Sequence, residues 1–505
     1  MDLIDIISLI VAFGAIVFVY FWWSYKYWER RNVPYIPPRY LRGNFESPLG
    51  RTTSQFDEVI KLYNYAKSQG WKYCGIYNIT TPLLMVLDLD LLKSILTKDF
   101  SHFVDRGQYV NEKDDPLSAH LFSIGGEKWR NLRVKFTPTF TSGKMRSMFQ
   151  TISDCGLALE KYLEEEVLDK KPIDIKTIAA CYTTDIIGSA AFGIDCNSFK
   201  EPDSPFRTFG KKIFESDGLR RLKIVIAVAF PKLGQFLRLN VTPDDVSKFF
   251  IKMVNDTVEY RIMNNVVRKD FLQCLIDLKS QEEQTHKKDG KSLTMEEIAA
   301  QSFIFFIAGF ETSSTTMTFA LYELALHPEI QDKAREEIVQ VLKRHAGEFS
   351  YDAVNELVYL KQIIDETLRK YPALPLVTRV CVKDYKLPGT DVMIEKGTKV
   401  IIPISGIHHD DRHYEDPEKF DPERFSEANK EKINPYAHLA FGEGPRICIG
   451  MRFGIMQTKV GLASILKNYK VRLNEKTKTP LKISIRSFIP TTDGGMWLTM
   501  EKINE

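Results

Sequence analysis

The stretch from Thr294 to Pro328, TMEEIAAQSFIFFIAGFETSSTTMTFALYELALHP, leaves this chain the least freedom. Thr294 with Glu297 three residues later is a capping box, which starts a helix. His327-Pro328 stops it, because the residue before a proline is pushed out of the helical region. The helix between, Met295 to Leu326, would be about 48 Å long, enough to cross a large domain. Ile298 to Phe310 is apolar almost all round, which predicts burial on every side. In the middle stands Ala308-Gly309-Phe310-Glu311-Thr312. A glycine costs about 1 kcal/mol in a helix interior, and a buried carboxylate costs more unless it is satisfied. From the residues alone two readings stay open. Either the glycine is tolerated and Glu311 faces a polar pocket, or a site is built into the helix.

The rest of the chain can supply a core around such a helix. Of 505 residues, 44% are hydrophobic and 27% charged, which argues against global disorder. A net charge of +3 is too balanced for nucleic acid to be the main partner. The seven cysteines are widely spaced with no C-x-x-C pair, so neither a zinc site nor a disulfide framework is signalled. That pattern suits a reducing, cytosolic compartment. Helical periods predominate, with strand signals in two places. Residues 75–88, GIYNITTPLLMVLD, read as a hairpin, and so do 385–403, YKLPGTDVMIEKGTKVIIP, turning at Lys396-Gly397. No G-x-G-x-x-G follows a strand and no βαβ alternation appears, which leaves a dinucleotide-binding fold without support. The polar run 280–292, SQEEQTHKKDGKS, reads as a solvated loop.

Ile6 to Trp23 carries no charge. As a helix it would rise about 27 Å, close to the roughly 30 Å hydrocarbon core of a bilayer. Tyr20, Trp22, Trp23, Tyr25 and Trp28 would form an aromatic belt at its far end. Asp2 and Asp5 precede the span and Lys26, Arg30 and Arg31 follow it, which places the body in the cytosol. The acidic start, the long apolar run and the missing Ala-x-Ala site favour an anchor over a cleaved signal peptide. Pro34, Pro37 and Pro38 then give a stiff, extended linker. The division expected is an anchor over 1–25, a proline-rich linker over 26–45 and a body over 46–505.

Residues 441–454, FGEGPRICIGMRFG, pack four glycines, two arginines and Cys448 into one loop. A lone cysteine is most often simply buried. Glu366 and Arg369, at i and i+3 on a helix from Leu357 to Lys370, would alone be a surface ion pair of little worth. The order matters more than any one of them. Trp129…Arg133, Ala308-Gly309-x-x-Thr312, Glu366-x-x-Arg369, Pro422-Glu423-Arg424-Phe425 and Phe441-x-x-Gly444-x-Arg446-x-Cys448-x-Gly450 together resemble a cytochrome P450, over the whole chain and anchor included. Residues 103–122 and 135–145 are similar to insect microsomal members that oxidise plant toxins and insecticides.

The resemblance implies a mainly α fold with small β-sheets, one large haem-thiolate domain behind an N-terminal transmembrane helix. Cys448 would be the thiolate ligand of the iron of heme b, with Phe441 in the same cofactor loop. Trp129, Arg133, Arg379, Arg446 and Arg106 would hold the propionates. Gly444 and Gly450 would let backbone N–H groups approach the sulfur, and the helix starting near Gly450 would steady its charge. Thr312 and Glu311 would serve oxygen activation, with Gly309 permitting a local opening of the helix. Glu366, Arg369 and Arg424 would lock the core. The chain has no flavin or dinucleotide signature, so electrons from NADPH would arrive through NADPH–cytochrome P450 reductase, with cytochrome b5 as a second partner. Lys128, Arg130, Lys135, Lys144, Arg146 and Arg452 could form its basic docking face. Substrates would be lipophilic small molecules, in a pocket drawn from 103–122, 206–240, 301–312, 374–378 and 487–491. Phe122, Phe305, Phe306, Leu376, Val377 and Phe488 are the apolar candidates there. The location implied is the endoplasmic reticulum membrane. Two other readings keep the haem: an isomerase or dehydratase without electron input, and a carrier or sensor without turnover.

Overall fold

A computed structural model of the chain describes residues 3–46, 50–167, 171–214, 218–285 and 293–503. Apolar residues at helical spacing give the elements that position the site. In chain order these are α1 (Leu3–Ser24), α2 (Gln55–Ser68), α3 (Gly126–Phe136), α4 (Ser142–Val167), α5 (Ile175–Ile187), α6 (Gly218–Ala229), α7 (Pro231–Phe236), α8 (Asp244–Met263), α9 (Met295–Leu326), α10 (Val358–Lys370) and α11 (Met451–Leu466). The strands are β1 (Tyr73–Asn78), β2 (Thr81–Val86), β3 (Ile173–Asp174), β4 (Val377–Val380), β5 (Tyr385–Lys386), β6 (Met393–Ile394), β7 (Lys399–Ile402), β8 (Tyr469–Leu473) and β9 (Trp497–Lys502).

The axis is α9, and its ends fall where the sequence puts them. Glu297 N–H donates to Thr294 Oγ1 and Thr294 N–H to the Glu297 carboxylate, both at 3.1 Å. At the other end His327 N–H still reaches the Glu323 carbonyl at 2.9 Å before Pro328 breaks the pattern. Burial differs from expectation in one half. Ser313 to Leu324 are buried all round, while Ile304, Phe305, Ile307, Ala308 and Gly309 are not. Four of those five front an internal cavity, which an apolar pattern cannot tell from solid core. Helices α5 and α11 pack on the other sides of α9.

One sheet runs in the order β1-β2-β7-β4. The β1–β2 hairpin forms as expected, Tyr73 opposite Val86 and Asn78 opposite Thr81. The second hairpin is corrected. Tyr385 pairs with Ile394 and the chain turns through Pro388-Gly389, with Gly389 at φ +71°. Lys396-Gly397 instead carries the chain into β7, which pairs parallel to β2 and antiparallel to β4. Both dipeptides are good turn formers, and only the distant partner strands decide between them. A separate sheet has the order β3-β9-β8.

Among the described residues, one helix is long and apolar enough to cross a membrane by length and composition, the segment from Leu3 to Arg31 that contains α1. Trp28 does not belong to an exposed belt. It is 2% exposed, lies on Gly75 so closely that a Cβ there would meet the indole at 2.3 Å, and donates from Nε1 to the Ile76 carbonyl at 3.2 Å. The segment expected as a linker lies along β1. Gly75 N–H donates to the Pro34 carbonyl at 2.7 Å, Ile36 N–H to Gly75 at 3.0 Å and Asn44 N–H to Tyr77 at 2.8 Å. Proline lacks an N–H, and Pro34 is used here through its carbonyl alone. Of the polar run 280–292, residues 280–285 close a helix (Phe271–Thr285) and the remainder lie outside the described residues.

Candidate haem-binding site

The loop before α11 is closed by Cys448 N–H donating to the Phe441 carbonyl at 2.9 Å. Gly442 and Gly444 take left-handed backbone at φ +74° and +75°. A Cβ on Gly444 would lie 1.9 Å from the Leu96 carbonyl oxygen, so this glycine serves packing of the loop rather than approach to the sulfur. Gly450 is the better placed of the two, since its backbone N–H favours the charged form of the Cys448 sulfur. Helix α11 starts at the next residue, with its N-terminal end toward the same atom. The sulfur opens onto the cavity. Burial pushes the thiol up from its ordinary value, while the Gly450 N–H and the charges of Arg106 and Arg133 pull the other way. A bound metal would deprotonate it outright.

The cavity spans about 1790 Å³, including the part open to solvent. Cys448 and Phe441 form one wall, and Ala308 and Thr312 of α9 belong to the wall that α9 supplies. Trp129, Arg133, Arg106, Arg379 and Arg446 also line it. Arg446 is 2% exposed and donates to the carbonyls of Val104 and Ile124, both at 2.8 Å. Its guanidinium lies over Trp129, 4.1 Å from the ring centre. Arg106 donates to Phe122 and to Arg446 carbonyls at 3.2 and 3.1 Å. Nε of Arg106 and Nε of Arg379 are buried without a partner. Asp105, 4.0 Å from Arg446, is at the limit of an ion pair. Burial, then Arg379 and Arg446, drive Arg106 well below its usual value. Burial brings Arg379 to about 10 and, with the Arg379 charge, Arg446 to about 9. Buried cations that repel one another and keep unused donors need an anion. The two propionates of haem would satisfy that need, so the residues present fit the group.

On α9, Thr312 fronts the cavity and its Oγ1 donates to the Ala308 carbonyl at 2.6 Å. Glu311 does not share that wall. It is 8% exposed, and its carboxylate sits 3.6 Å from Lys176 Nζ of α5. Lys176 in turn donates to Thr491 Oγ1. Successive helix residues point about 100° apart, and here that separates the two side chains. At Gly309 a Cβ would lie 2.3 Å from Ile187 Cδ1. The glycine therefore admits α5, and α9 runs unbroken through it.

Glu366 and Arg369 are both fully buried on α10. Arg369 donates to Glu366 through Nε at 2.7 Å and Nη2 at 2.9 Å, and to the His408 carbonyl at 2.9 Å. Arg424 Nε lies 3.5 Å from Glu366, and Asp421 N–H donates to the same carboxylate at 2.9 Å. Sequence reasoning missed His408. Its Nδ1 donates to the Arg369 carbonyl at 3.0 Å and its Nε2 accepts from Leu439 N–H at 2.9 Å. A carbonyl on one side and an N–H on the other require the neutral ring protonated on Nδ1. Burial, the first cause, and the neighbouring His438 favour that neutral form. His408 thus joins the Glu366–Arg369 pair to the start of the cysteine loop.

Of the apolar candidates, Phe122, Phe305 and Val377 line the cavity. Phe306 turns into the core, its ring 4.9 Å from Phe250. Leu376 packs against a second core under the β1–β2 sheet, and Phe488 is 51% exposed. Among the described residues, none from 206–240 or 487–491 lines the cavity. The basic face is also thinner than the residues suggested. Lys128 pairs with Glu112 and Glu297 at 2.9 and 3.1 Å, Lys135 with Glu282, and Arg146 with Asp352 at 2.7 Å. Arg130, Lys144 and Arg452 are exposed.

Comparison with known proteins agrees with this arrangement. Residues 50–497 match the cytochrome P450 family. The chain is 42% identical over 493 residues to probable cytochrome P450 6a14 of Drosophila melanogaster, covering 95% of this chain and 96% of that protein. It is 41% identical to Drosophila cytochrome P450 6a2 over 99% of each chain. With cytochrome P450 6A1 of Musca domestica it shares 41% identity over 96% of this chain and 95% of the relative.

Proposed function

The chain belongs to the cytochrome P450 family, and from that membership we propose a membrane-bound monooxygenase that places one atom of dioxygen into lipophilic small molecules, with electrons from NADPH delivered by a flavoprotein reductase. The observation that carries this reading is one cavity holding the Cys448 sulfur, the Thr312 hydroxyl and the clustered cations Arg106, Arg379 and Arg446, the first two with a donor nitrogen left unpartnered. Cys448 would bind the iron, and Arg106, Arg379, Arg446, Arg133 and Trp129 would take the propionates. Haem held by a thiolate supplies the electron push that favours O–O cleavage. The protein's own part is orientation and protons. Thr312, fixed by the Ala308 carbonyl, presents its oxygen to the cavity and holds a water or proton there. Glu311 draws protons from solvent through Lys176, and reaches the Thr312 side only by leaving that lysine. Helix α1 would anchor the body to the endoplasmic reticulum membrane, the apolar walls suit lipophilic molecules, and the resemblance to insect relatives suggests plant toxins, insecticides or endogenous lipids among them.

A carbon monoxide difference spectrum of the reduced protein, followed by turnover with and without NADPH and reductase, tests the reading. A thiolate-type band with turnover independent of NADPH would favour the isomerase or dehydratase instead, and no turnover of any kind would favour the carrier or sensor. Thr312→Ala should lower product formed per NADPH about tenfold or more, since positioned proton transfer is worth roughly 10²–10⁴, while NADPH consumption continues. An unchanged ratio would remove Thr312 from oxygen activation. Reductase docking onto exposed Arg130, Lys144 and Arg452 should make electron transfer fall with ionic strength and approach a floor near 1 M salt, where the screening length is about 3 Å. Rates indifferent to salt would place the docking surface elsewhere.

A further inference from the structure

Residues 301, 305, 308 and 312 of α9 share one face, since steps of three and four residues return to the same side of a helix. Phe305, Ala308 and Thr312 line the cavity, and Gln301 does not. Gln301 is fully buried, and the segment 119–121 lies against it instead. Its Oε1 accepts from Leu121 N–H at 2.8 Å, and its Nε2 donates to the Ala119 carbonyl at 3.3 Å. Among the described residues no other hydrogen bond joins this segment to α9. An amide in an apolar stretch costs free energy unless it is paired, and here both bonds go to the backbone of a distant loop. Leu121 and its neighbour Phe122 line the cavity. Phe122 is held in addition by Arg106, whose guanidinium lies 3.9 Å from the ring centre. The segment therefore closes the cavity at the Gln301 end of α9.

We propose that Gln301 is a positioning residue that clamps this end wall to α9, and that the clamped wall sets how large a lipophilic molecule the cavity accepts. Apolar contacts are non-directional and let a loop slide. Two hydrogen bonds to residues 119 and 121 fix both its distance and its direction. Cutting them would strand a buried N–H and a buried carbonyl, so the loop would shift to pair them again. A wall that yields discriminates poorly by size, because a ligand must then order the wall as it binds. Gln301 touches no ligand and acts through Leu121 and Phe122. The use of the wall in substrate choice rests on the monooxygenase reading above, but the clamp does not.

Binding of imidazole and of clotrimazole, the same ring bearing three aryl groups, tests it on the haem-loaded, full-length enzyme through the Soret band. Gln301→Met keeps the length of the side chain and removes donor and acceptor. Gln301→Glu, held neutral by burial, offers a carbonyl to Leu121 N–H and an O–H to Ala119. In Gln301→Met clotrimazole should bind about tenfold more weakly, the factor that matches losing one buried pairing, while imidazole, too small to reach the wall, binds as before. Gln301→Glu should restore the wild-type value. A residue that merely supported the fold would on removal weaken both ligands together. Equal loss for both, unchanged or tighter clotrimazole binding, or a glutamate variant that behaves as the methionine one overturns the proposal. Hydrogen–deuterium exchange at the Leu121 amide needs no variant. In wild-type protein that amide should be protected like those of α9, and exchange as fast as an open loop overturns the clamp even where Gln301→Met fails to fold. If neither azole moves the Soret band of wild-type protein while Leu121 is protected, the haem reading has failed and the clamp stands.

Discussion

Cys448→Ser should abolish the thiolate-type band of the reduced, carbon monoxide-bound protein and lower turnover by ~10³-fold or more, as expected when a group touching the reacting atoms is removed. The two side chains are nearly the same size, and the loop is held by main-chain contacts that serine keeps, from Cys448 N–H to Phe441 and from Gly444 against Leu96. The fold should therefore survive. A hydroxyl differs in what it offers a metal. It ionises far less readily than a thiol and is a harder, weaker electron donor, so the Gly450 N–H and the charges of Arg106 and Arg133 would face a neutral group. Arg106, Arg379 and Arg446 are untouched by the change and would still attract propionates, so haem content should fall less than activity. A thiolate-type band in the purified serine variant would place the ligand elsewhere and sink the proposed function with it.

How far the sequence could be read depended on whether a signal was local. The bounds of α9 were legible because Thr294, Glu297, His327 and Pro328 act within one turn of the helix ends. The β1–β2 hairpin was legible for the same reason. The second hairpin was not, since Pro388-Gly389 and Lys396-Gly397 are equally good turns and β7 takes its partners from β2 and β4, far along the chain. Cavity walls were hidden by a different limit. Phe305 and Phe306 are neighbours of one chemistry, yet one fronts the cavity and the other is buried against Phe250. Apolar periodicity gives a direction, and says nothing of whether core or empty space lies in that direction. Trp28 misled because an aromatic side chain after an apolar span suits a membrane interface and a protein core alike. The cavity arginines Arg106, Arg133, Arg379 and Arg446 came from the family resemblance, while their physical sense, cations crowded together without an anion, needed three-dimensional proximity. Gln301 and His408 carry no local signal at all. Each matters through partners more than thirty residues away, for Gln301 the Ala119 and Leu121 backbones and for His408 the Arg369 and Leu439 backbones.

Removing the carboxylate of Glu366 should strongly destabilise the body of the protein. Deleting one member of a buried ion pair typically costs 3–5 kcal/mol, and this pair has no exposure on either side. In Glu366→Ala, Arg369 would keep the carbonyls of His408 and Lys419 as acceptors but lose its counter-charge and two of its bonds. Arg424 would lose the same partner, and the Asp421 N–H its acceptor. The damage would then travel by a defined route. The Arg369 carbonyl holds His408 Nδ1, and His408 Nε2 holds the Leu439 N–H, two residues before Phe441, whose carbonyl closes the cysteine loop. Purified Glu366→Ala should unfold at lower temperature and carry little haem, with the spectrum lost before the helical signal. Glu366→Gln keeps an acceptor and the shape, so it should retain more of both, and the gap between the two variants measures what the lost packing and acceptor add to the lost charge. If alanine at 366 leaves haem content and melting temperature at wild-type values, the pair is not what secures the loop, and the chain of contacts through His408 has no energetic weight.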